Sequence, residues 1–334
     1  MTQDRLPVDC VAEHPAVRAW SGIAGMECWC AKVELLKNRS ASQVWRLNGR
    51  APGDSNLIAK RCPESNAITE RYIYKEVLLH VPLTFPRHYG LVQEQGTGFC
   101  WAFVEDAAGV PYSPLLPEHG FETATWLARL HTSALSVSRK LRLPDRGPRY
   151  YSDCLRMGRD RIRRVLARAP LGEDHRALLE ALTAACDTAE TKQAWIEKVC
   201  GVAPRTFVHA DLHAGNIHLR KSPTGVTVMT FDWESAGWGP PAIDLALEGL
   251  DLPAYCSVAA GLWPTLDVHT AQDLTAAGRL LRVAALIEWE SQALDFQWPR
   301  RPMKRMAWYL TELSHAMAEI DQRTRPVSST GGPI

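Results

Sequence analysis

The sequence has little net charge, and it contains no hydrophobic run long enough to cross a membrane. Its 334 residues carry 38 Lys and Arg against 37 Asp and Glu, which gives a formal net charge of +1. Such a balance gives no general attraction to polyanions or to a membrane surface. No uninterrupted apolar stretch approaches the roughly 20 residues of a transmembrane helix. We therefore expect no nucleic-acid partner and no membrane partner.

Paired cysteines are also lacking. The nine cysteines are scattered, and the one close pair, Cys28 and Cys30, has no second pair at the spacing of a zinc site. An odd and dispersed set of cysteines indicates reduced thiols. The first ten residues, MTQDRLPVDC, lack the basic and then apolar pattern of a secretory signal. These features predict a cytoplasmic protein, which we expect to be a monomer or a homodimer.

The composition is that of an ordinary globular protein. Hydrophobic residues make up 46% of the chain and charged residues 22%, which are typical values for a folded domain with a substantial core. The length allows one large domain or two moderate domains. No repeat of fixed period is present.

The most informative stretch is residues 207–232, which read FVHADLHAGNIHLRKSPTGVTVMTFD. β-Branched and aromatic residues bounded by Gly and Pro predict three short strands, at residues 206–208, 217–219 and 226–231. His209, Asp211 and Asn216 then lie on the loop between the first two strands, and Asp232 lies at the end of the third. The pattern gathers two carboxylates and one amide at one end of these strands.

This set of side chains suits phosphoryl transfer. The carboxylate of Asp211 can accept the proton of an attacking hydroxyl. The amide oxygen of Asn216 and the carboxylate of Asp232 can hold Mg²⁺, which prefers oxygen ligands from protein and phosphate together. Phosphoryl transfer needs a positioned hydroxyl, a base and cations on the phosphates. The alternative is a set of solvated turn residues, because Asp, Asn and Gly favour turns.

Two motifs in this region resemble a known family. Residues 209–216, HADLHAGN, resemble the catalytic loop of the aminoglycoside phosphotransferase and choline kinase family, whose members are small-molecule relatives of the protein kinases. Residues 232–246, DWESAGWGPPAIDLA, resemble the metal-binding segment of that family and the start of the helix that follows it. Asp-Trp-Glu stands here where protein kinases have Asp-Phe-Gly.

The resemblance implies an α+β fold of the protein-kinase-like two-lobe type. It implies an N-terminal antiparallel sheet with one main helix, and a mainly helical C-terminal lobe. On this basis we expect a nucleotide-binding lobe over residues 1–106, a catalytic and acceptor-binding lobe over residues 107–324, and a flexible tail over residues 325–334.

The resemblance also implies an activity and its residues. The γ-phosphoryl group of ATP, or of GTP, would move to a hydroxyl of a small molecule such as an antibiotic, a sugar, an amino alcohol or a related metabolite, with Asp211 as the base. Mg²⁺ would be held by Asn216 and Asp232, with Glu234 helping at a second ion. His209 would support the loop. Asp244 would accept hydrogen bonds from the backbone near the catalytic loop.

The phosphate-binding residues are expected in the N-terminal part. Residues 34–47 read as strand, turn and strand, and the turn NRSASQ at 38–43 occupies the place of the phosphate-covering loop of kinases. It lacks the glycines of that loop, but Ser40, Ser42 and backbone N–H groups can still hold phosphates. A plain hairpin turn is the alternative.

Lys60 ends an apolar segment, NLIAK, that resembles the strand carrying the phosphate-binding lysine of the family. A solvated lysine at a strand end is the alternative. The helix predicted over residues 68–81 offers Glu70 or Glu76 as its partner. The Glu-x-x-x-Tyr pattern of the family, with Tyr74 as the tyrosine, favours Glu70, and we expect Glu76 to be solvated.

The nucleotide base is expected next to the apolar segment 98–106, GFCWAFVED. In the family this is the last strand before the hinge between the lobes. We expect adenine to hydrogen-bond to the backbone there, at Val104, Glu105 and Ala107, between apolar walls. A buried edge strand with acidic residues at its end is the alternative.

A basic helix is predicted over residues 154–168. Its six arginines do not share one helix face, so a solvated helix is the default interpretation and the binding of an anionic acceptor is the alternative. They are Arg156, Arg159, Arg161, Arg163, Arg164 and Arg168.

Two other functions compete with the kinase. A metal-dependent hydrolase would use His209, Asp211, His213 and Asp232, with His218 nearby, to bind zinc or iron. A nucleotide-binding regulator would have the fold without the transfer activity. The presence of Lys60 together with the Asp211, Asn216 and Asp232 set favours an active enzyme over such a regulator.

Overall fold

The structure is a computed structural model that describes residues 11–24, 30–39, 42–49, 56–133, 143–168, 170–223, 225–295 and 300–325. The described chain forms two compact units. The first contains the described residues up to 122 together with residues 213–235. The second contains the described residues of 123–212 and those from 236 onward.

The first unit is built on a five-stranded antiparallel sheet with the strand order β1-β2-β3-β5-β4. The strands are β1 (Cys30–Arg39), β2 (Ser42–Gly49), β3 (Leu57–Pro63), β4 (His88–Glu94) and β5 (Phe99–Glu105). The two strands predicted within residues 34–47 are confirmed as β1 and β2, which continue to Arg39 and start again at Ser42, inside the predicted turn of 38–43. Residues 40 and 41 lie outside the described residues.

An N-terminal helix covers one face of this sheet. Leu57 and Ala59 are two positions apart in β3, so their side chains point to the same face of the sheet. They share a buried cluster with Trp20 of helix α1 (Pro15–Ala24) and with Phe103 of β5. The rings of Trp20 and Phe103 lie 5.3 Å apart. Helix α1 therefore contributes to the core of the first unit.

The opposite face of the sheet packs against helix α2 (Glu64–Tyr72). Cys62 of β3 lies opposite Cys100 of β5 in the strand register. These two free cysteines form a buried cluster with Ala67 of α2. Lys60 has the same parity as Cys62 in β3, so its side chain points toward the face that α2 covers. The alternation of β3 thus directs one lysine of a buried strand toward a helix that carries acidic residues.

The helix predicted over residues 68–81 is three consecutive segments with different winding. The α-helix α2 ends at Tyr72, a π-helical turn follows over Ile73–Val77, and a 3₁₀ turn follows over Leu78–His80. Ile73, Tyr74 and Val77 are buried in the π-helical turn. Such π-helical turns are rare and occur mostly as single-turn interruptions of α-helices.

A second, three-stranded sheet also belongs to the first unit. Its order is β6-β8-β9, from β6 (Val110–Pro111), β8 (Ile217–Ser222) and β9 (Gly225–Thr230). Gly109 precedes β6 with φ +71°, and a Cβ there would lie 2.3 Å from the carbonyl oxygen of Leu219, so only glycine fits. The pairing of β6 with β8 connects residues 213–235 to the N-terminal part of the first unit. The compact units divide the chain after residue 122 and place residues 213–235 in the first unit. They describe compactness and not function, so the predicted lobe boundary at residue 106 stays a prediction.

The second unit is mainly helical, as predicted for the C-terminal region. Helix α3 (Pro117–Ser133) begins in the first unit and continues in the second. Two short strands, β7 (Thr206–Val208) and β10 (Gly237–Gly239), pair antiparallel. The other helices are α4 (Pro148–Arg168), α5 (Glu173–Glu190), α6 (Gln193–Cys200), α7 (Ala242–Leu245), α8 (Leu252–Ala259), α9 (Val268–Ser291) and α10 (Arg300–Thr324).

Helix α9 forms the centre of the second unit and contacts α4, α7 and α10. Gly278 of α9 permits the close approach of α7, because a Cβ at this position would lie 1.8 Å from the carbonyl oxygen of Ala242. Among the helices of the described residues, none has both the length and the apolar character required to span a membrane.

Candidate active site

Lys60 of β3 lies among three carboxylates in the first unit. Its Nζ is 3.2 Å from Oε2 of Glu70 and 2.8 Å from Oε2 of Glu234, and it also contacts Oδ1 of Asp232. Only 9% of Lys60 is exposed. A buried ammonium with carboxylates as hydrogen-bond acceptors is a fixed positive charge, and the alternative of a solvated strand-end lysine is wrong.

The three carboxylates come from separate elements. Glu70 lies on α2, which packs on the face of the sheet that carries Lys60. Asp232 follows β9, and Glu234 lies in the 3₁₀ turn Trp233–Ser235. Oε1 of Glu70 also accepts a hydrogen bond of 3.3 Å from the backbone N–H of Trp233. Glu70 therefore joins α2 to the Asp-Trp-Glu segment as well as to Lys60.

The choice of Glu70 over Glu76 as the partner of Lys60 is confirmed. Glu70 is 3% exposed and is bonded to Lys60, while Glu76 lies exposed on the π-helical turn. Tyr74, the tyrosine of the predicted pattern, is buried. The helix winds so that only one of its two candidate acids faces the sheet.

The attraction between the Lys60 ammonium and the three carboxylates keeps the ammonium charged. Burial alone would lower the pKa of Lys60, but the negative charges of Glu70, Asp232 and Glu234 outweigh it and raise the pKa well above the ordinary lysine value. Burial raises the pKa of Glu234, and the nearby charge of Asp232 adds to this, while Lys60 opposes it. The ammonium is thus kept protonated by carboxylates that would repel one another without it.

The oxygen atoms in this cluster fit a hard divalent cation. Glu70, Asp232 and Glu234 each offer a carboxylate oxygen, and these atoms lie within 4.8 Å of one another. Oxygen donors alone suit Mg²⁺ and not a metal that prefers imidazole or thiolate. Asp232 has φ +70°, a left-handed conformation that costs about 1 kcal/mol and is often found at functional sites.

Asn216 lies at the same end of the β8–β9 hairpin as Asp232. Asn216 directly precedes β8, and Asp232 follows β9. Ile217 pairs with Thr230, and the backbone N–H of Phe231 donates to the carbonyl of Asn216 at 3.2 Å. Asn216 is 4% exposed. Strand pairing thus places the predicted amide and carboxylate ligands at the open end of the β8–β9 hairpin, and their binding of Mg²⁺ stays a prediction.

The phosphate-covering turn is described in part. Ser40 lies outside the described residues. Ser42 begins β2 opposite Arg39 of β1, and its hydroxyl is buried with no hydrogen-bond partner among the described residues. A buried hydroxyl costs free energy when it is unpaired, and the binding of a phosphate oxygen by Ser42 stays a prediction.

The expected adenine contacts change in one respect. The backbone N–H of Glu105 donates to the carbonyl of Arg87 at 2.8 Å, so it is engaged within the sheet. Val104 pairs with Ile58 of β3 and with His88 of β4. Ala107 follows the strand and is buried. The sheet therefore removes the Glu105 N–H from the candidate donors, and backbone contacts of adenine at Val104, at Glu105 through its carbonyl, and at Ala107 stay predictions.

The predicted catalytic loop begins in the second unit. Both oxygens of the Asp244 carboxylate accept backbone amides of the loop, from His209 at 2.7 Å and from Ala210 at 2.9 Å. The prediction that Asp244 fixes this backbone is confirmed. His209 is fully buried, and its Nδ1 accepts a weak bond of 3.4 Å from the N–H of Asp211. His209 supports the loop, and the role of Asp211 as the base stays a prediction.

The histidines near this loop do not form a metal site in the described part of the chain. Nδ1 of His213 accepts from the N–H of Gly215 at 3.0 Å, and Nδ1 of His218 lies 2.8 Å from the carbonyl oxygen of Ala108. Within the described ranges, the one group of side chains that could hold a metal consists of Glu70, Asp232 and Glu234. The hydrolase alternative, which needs imidazole ligands, receives no support.

The arginines of α4 are largely paired. Arg159 and Arg163 both bond Asp187 of α5, at 2.8 Å and 2.7 Å, and Arg161 donates to the side chain of Ser291 at 2.8 Å. Arg156 pairs with Asp153 and with an acid of α5. These ion pairs join α4 to neighbouring helices, which favours the structural interpretation over an anion-binding site.

Sequence reasoning missed one cation near the carboxylates. Nζ of Lys37, near the end of β1, lies 4.0 Å from Oδ2 of Asp232. A lysine beside a polar turn is usually solvated, so nothing in the sequence distinguished it. Nor does the sequence indicate the partners of His131, which is fully buried and contacts Tyr255 and Asp244.

The sequence profile of the phosphotransferase enzyme family matches residues 32–253, about two thirds of the chain. The chain belongs to the phosphotransferase enzyme family. The matched region contains Lys60, Asp211, Asn216 and Asp232, so the family predicted from the motifs is confirmed. A search of curated proteins found no match.

Solved phosphotransferases have the same fold at low sequence identity. An aminoglycoside 2'-phosphotransferase in a GDP complex is 13% identical, with a TM-score of 0.59 over 89% of this chain and 95% of that one. Choline kinase from Cryptosporidium parvum is 13% identical, with a TM-score of 0.57 over 89% and 92%. Spectinomycin phosphotransferase with ADP and spectinomycin is 13% identical, with a TM-score of 0.55 over 89% and 94%.

These likenesses confirm the predicted α+β, protein-kinase-like two-lobe fold. Family membership makes the protein a transferase of the small-molecule kinase class. It does not identify the acceptor, because one fold of this type serves many substrates.

Proposed function

We propose that this phosphotransferase moves the γ-phosphoryl group of ATP to a hydroxyl of a small molecule, with Asp211 as the base. The observation that carries the proposal is the buried Lys60, bonded to Glu70 and in contact with Asp232 and Glu234. A fixed ammonium beside oxygen ligands for Mg²⁺ is what the phosphates of a nucleotide require. GTP is the second candidate donor, since one structural relative was solved with GDP and another with ADP.

The nucleotide would lie along the first unit. Lys60 would neutralise the α- and β-phosphates, and Ser42 would donate its hydroxyl to a phosphate oxygen. Glu70 holds the Lys60 ammonium at 3.2 Å, so the charge does not have to be ordered when the nucleotide binds. Ala107 and Val104 would meet the base through their backbone. This preorganisation reduces the free energy that nucleotide binding must spend on side-chain ordering.

Mg²⁺ would be held by Asn216 and Asp232, with Glu234 near a second ion, and would supply positive charge to the phosphate oxygens. Asp211 orients the acceptor hydroxyl and accepts its proton. The transfer has a loose transition state, in which little charge builds on the attacking oxygen, so the proton moves late. The oxygen-only donor set of the described cluster supports this assignment over zinc or iron.

The acceptor belongs to a broad class. Structural relatives include a choline kinase, a spectinomycin phosphotransferase and an aminopropanol kinase, so hydroxyl compounds that also carry an amine are the first acceptors to test. No nucleic acid and no membrane enters the proposal. We expect a cytoplasmic protein on the basis of the dispersed cysteines, six of which are buried and free in the described chain. We also expect a monomer or a homodimer.

The decisive variant is Asp211→Asn. It removes the base but keeps the shape, so turnover is expected to fall by about 10²–10⁴-fold, while the affinity for ATP with Mg²⁺ stays within about twofold of the parent protein. Asp174→Asn, at an exposed position in the first turn of α5, is the matched control. ADP release measured over a panel of amino alcohols, sugars and antibiotics identifies the acceptor first.

The outcomes separate the rival functions. Normal turnover by Asp211→Asn would reject the assignment of the base. Tight nucleotide binding without ADP release for any acceptor would favour the regulator. A stoichiometric transition metal in the purified protein would favour the hydrolase.

A further inference from the structure

A chain of buried polar groups in the second unit ends at the backbone of the catalytic loop. The hydroxyl of Tyr255 lies 2.8 Å from Nδ1 of His131, and Nε2 of His131 lies 3.2 Å from Oδ2 of Asp244. The Asp244 carboxylate in turn accepts the amides of His209 and Ala210. The side chains of Tyr255, His131 and Asp244 are fully buried.

The chemistry of the groups assigns a direction to these hydrogen bonds when the imidazole is neutral. An ionised carboxylate only accepts, so Nε2 of His131 must carry the proton that it donates to Asp244. In the neutral imidazole Nδ1 is then the acceptor, and the phenolic O–H of Tyr255 is its donor. Burial, together with the charge of Asp244, raises the pKa of Tyr255 well above its ordinary value, so this phenol keeps its proton.

His131 is held in place by its surroundings. Its ring stacks against the ring of Trp263 at 6.5 Å and meets the ring of Tyr255 edge-on at 5.8 Å. Its backbone carbonyl accepts a hydrogen bond of 2.5 Å from the hydroxyl of Thr206 in β7, the strand that leads into the loop. The imidazole therefore has one orientation available, and in that orientation it points at Asp244.

The loop needs such support because part of its backbone is strained. Ala210 has φ +65°, a left-handed conformation that costs a residue with a side chain about 1–2 kcal/mol. Its N–H donates to Oδ1 of Asp244 at 2.9 Å. Ala210 directly precedes Asp211, so the orientation of this peptide sets the direction in which the Asp211 side chain leaves the backbone.

We propose that His131 and Tyr255 are positioning residues for Asp211, acting through Asp244. They hold the Asp244 carboxylate in the orientation in which both of its oxygens accept loop amides. Without them only the two loop amides orient the carboxylate, whose terminal torsion is intrinsically broad, so the left-handed peptide of Ala210 is held less firmly. The catalytic significance rests on the proposed role of Asp211, but the control of the loop does not.

The competing explanation is that these side chains only pack α3, α7 and α8 together. A packing role and a positioning role predict different responses to substitutions at His131. Glutamine reaches as far as Nε2 and can donate a hydrogen bond there, while leucine fills a similar volume and donates nothing. If the donor matters, His131→Gln retains function and His131→Leu loses it, at comparable thermal stability.

The test combines hydrogen exchange with steady-state kinetics on the full chain. In His131→Leu we expect the amides of residues 207–212 to exchange at least tenfold faster, kcat to fall by about 10- to 100-fold, and the KM for the nucleotide to stay within twofold. His131→Gln is expected to restore most of both. Loop exchange that does not change in His131→Leu, or equal losses in the Gln and Leu variants, would overturn the proposal.

A second comparison applies even if His131→Leu fails to fold. Tyr255→Phe removes the donor to Nδ1, and Tyr151→Phe removes a buried hydroxyl that has no hydrogen-bond partner among the described residues. Faster loop exchange and a lower kcat in Tyr255→Phe alone support the proposal, and equal behaviour of the two variants overturns it. If the parent protein shows no phosphotransfer, the proposed function fails, and the exchange data still decide whether the loop is held in this way.

Discussion

The ammonium of Lys37 lies 4.0 Å from Oδ2 of Asp232, while Lys60 contacts Oδ1 of the same carboxylate. Two lysines from two strands therefore flank one proposed metal ligand. Lys60 is buried, whereas the Lys37 side chain is 38% exposed and lies near the hairpin turn that lacks the glycines of kinase phosphate loops. Lys37 brings positive charge to the place where the phosphates are expected.

Substitution of Lys37 by methionine tests this charge. We expect the KM for the nucleotide to rise about 3- to 10-fold, equivalent to roughly 1 kcal/mol, with kcat changed less than twofold. Because the ammonium is partly exposed, salt should screen its attraction for phosphate. Initial rates at low and at high ionic strength should therefore show a larger effect at low salt.

Lys32→Met is the matched control for this prediction. Lys32 lies on the same strand, is similarly exposed, and pairs with Glu34 at 3.9 Å. It should leave the KM for the nucleotide unchanged. An equal effect of the two substitutions would show that only the general charge of the strand matters.

Several features of the site could be predicted from the sequence because local patterns encode them. Lys60 ends an apolar segment, and strand alternation alone gives it the same face as Cys62. The order of Asp211, Asn216 and Asp232 around short apolar strands predicts a hairpin that holds two of them at one end. The structure confirms that hairpin as β8 and β9.

Glu70→Gln tests the pairing that the structure shows. Glu70 is buried and bonds both Lys60 and the backbone of Trp233. Glutamine keeps the shape but loses the charge, so the Lys60 ammonium is less well fixed. We expect kcat/KM for the nucleotide to fall about 10- to 100-fold, and the free energy of unfolding to fall by about 1–3 kcal/mol.

Glu76→Gln provides the comparison within the same helical segment. Glu76 is exposed, and exposed substitutions usually change the free energy of unfolding by less than about 0.5 kcal/mol. Steady-state kinetics and urea unfolding of the two variants should therefore differ clearly. Similar kinetic losses would contradict the assignment of Glu70.

Contacts between residues that are distant in the sequence and lie outside the recognised motifs could not be predicted. His131 and Tyr255 are 124 residues apart, and no local pattern relates a histidine in one helix to a tyrosine in another. The arginines of α4 do not share one face, yet Arg159 and Arg163 both reach Asp187 because α5 packs alongside α4. Such pairs depend on helix packing, which periodicity does not specify.

Gly278→Ala is expected to destabilise the second unit. The added methyl group would lie 1.8 Å from the carbonyl oxygen of Ala242, so α7 and α9 would have to separate. Overpacking of this kind costs about 1–3 kcal/mol, and α7 carries Asp244, so turnover should fall as well. Gly261→Ala, where a Cβ meets nothing within 4 Å, should be neutral or slightly stabilising in thermal unfolding.

Acid is expected to destabilise the first unit through His88. Burial lowers the pKa of His88 from 6.5 to about 4, and the positive charges of Arg71 and Lys75 add to this. The unfolded chain therefore binds the proton of His88 more tightly than the folded protein does. The stability that comes from keeping His88 neutral is fully present above pH 6.5 and is lost as the pH falls toward 4.

His88→Phe should remove this part of the acid sensitivity. The His88 ring lies 5.3 Å from the ring of Tyr74, and phenylalanine keeps an aromatic ring there without a titrating group. We expect the free energy of unfolding of the parent protein to fall by roughly 1–3 kcal/mol more than that of the variant between pH 6.5 and pH 4. His80→Gln, at an exposed position, should follow the parent protein. Parallel pH profiles for the parent protein and His88→Phe would show that burial does not hold His88 neutral, because the penalty for charging it inside the first unit is then absent.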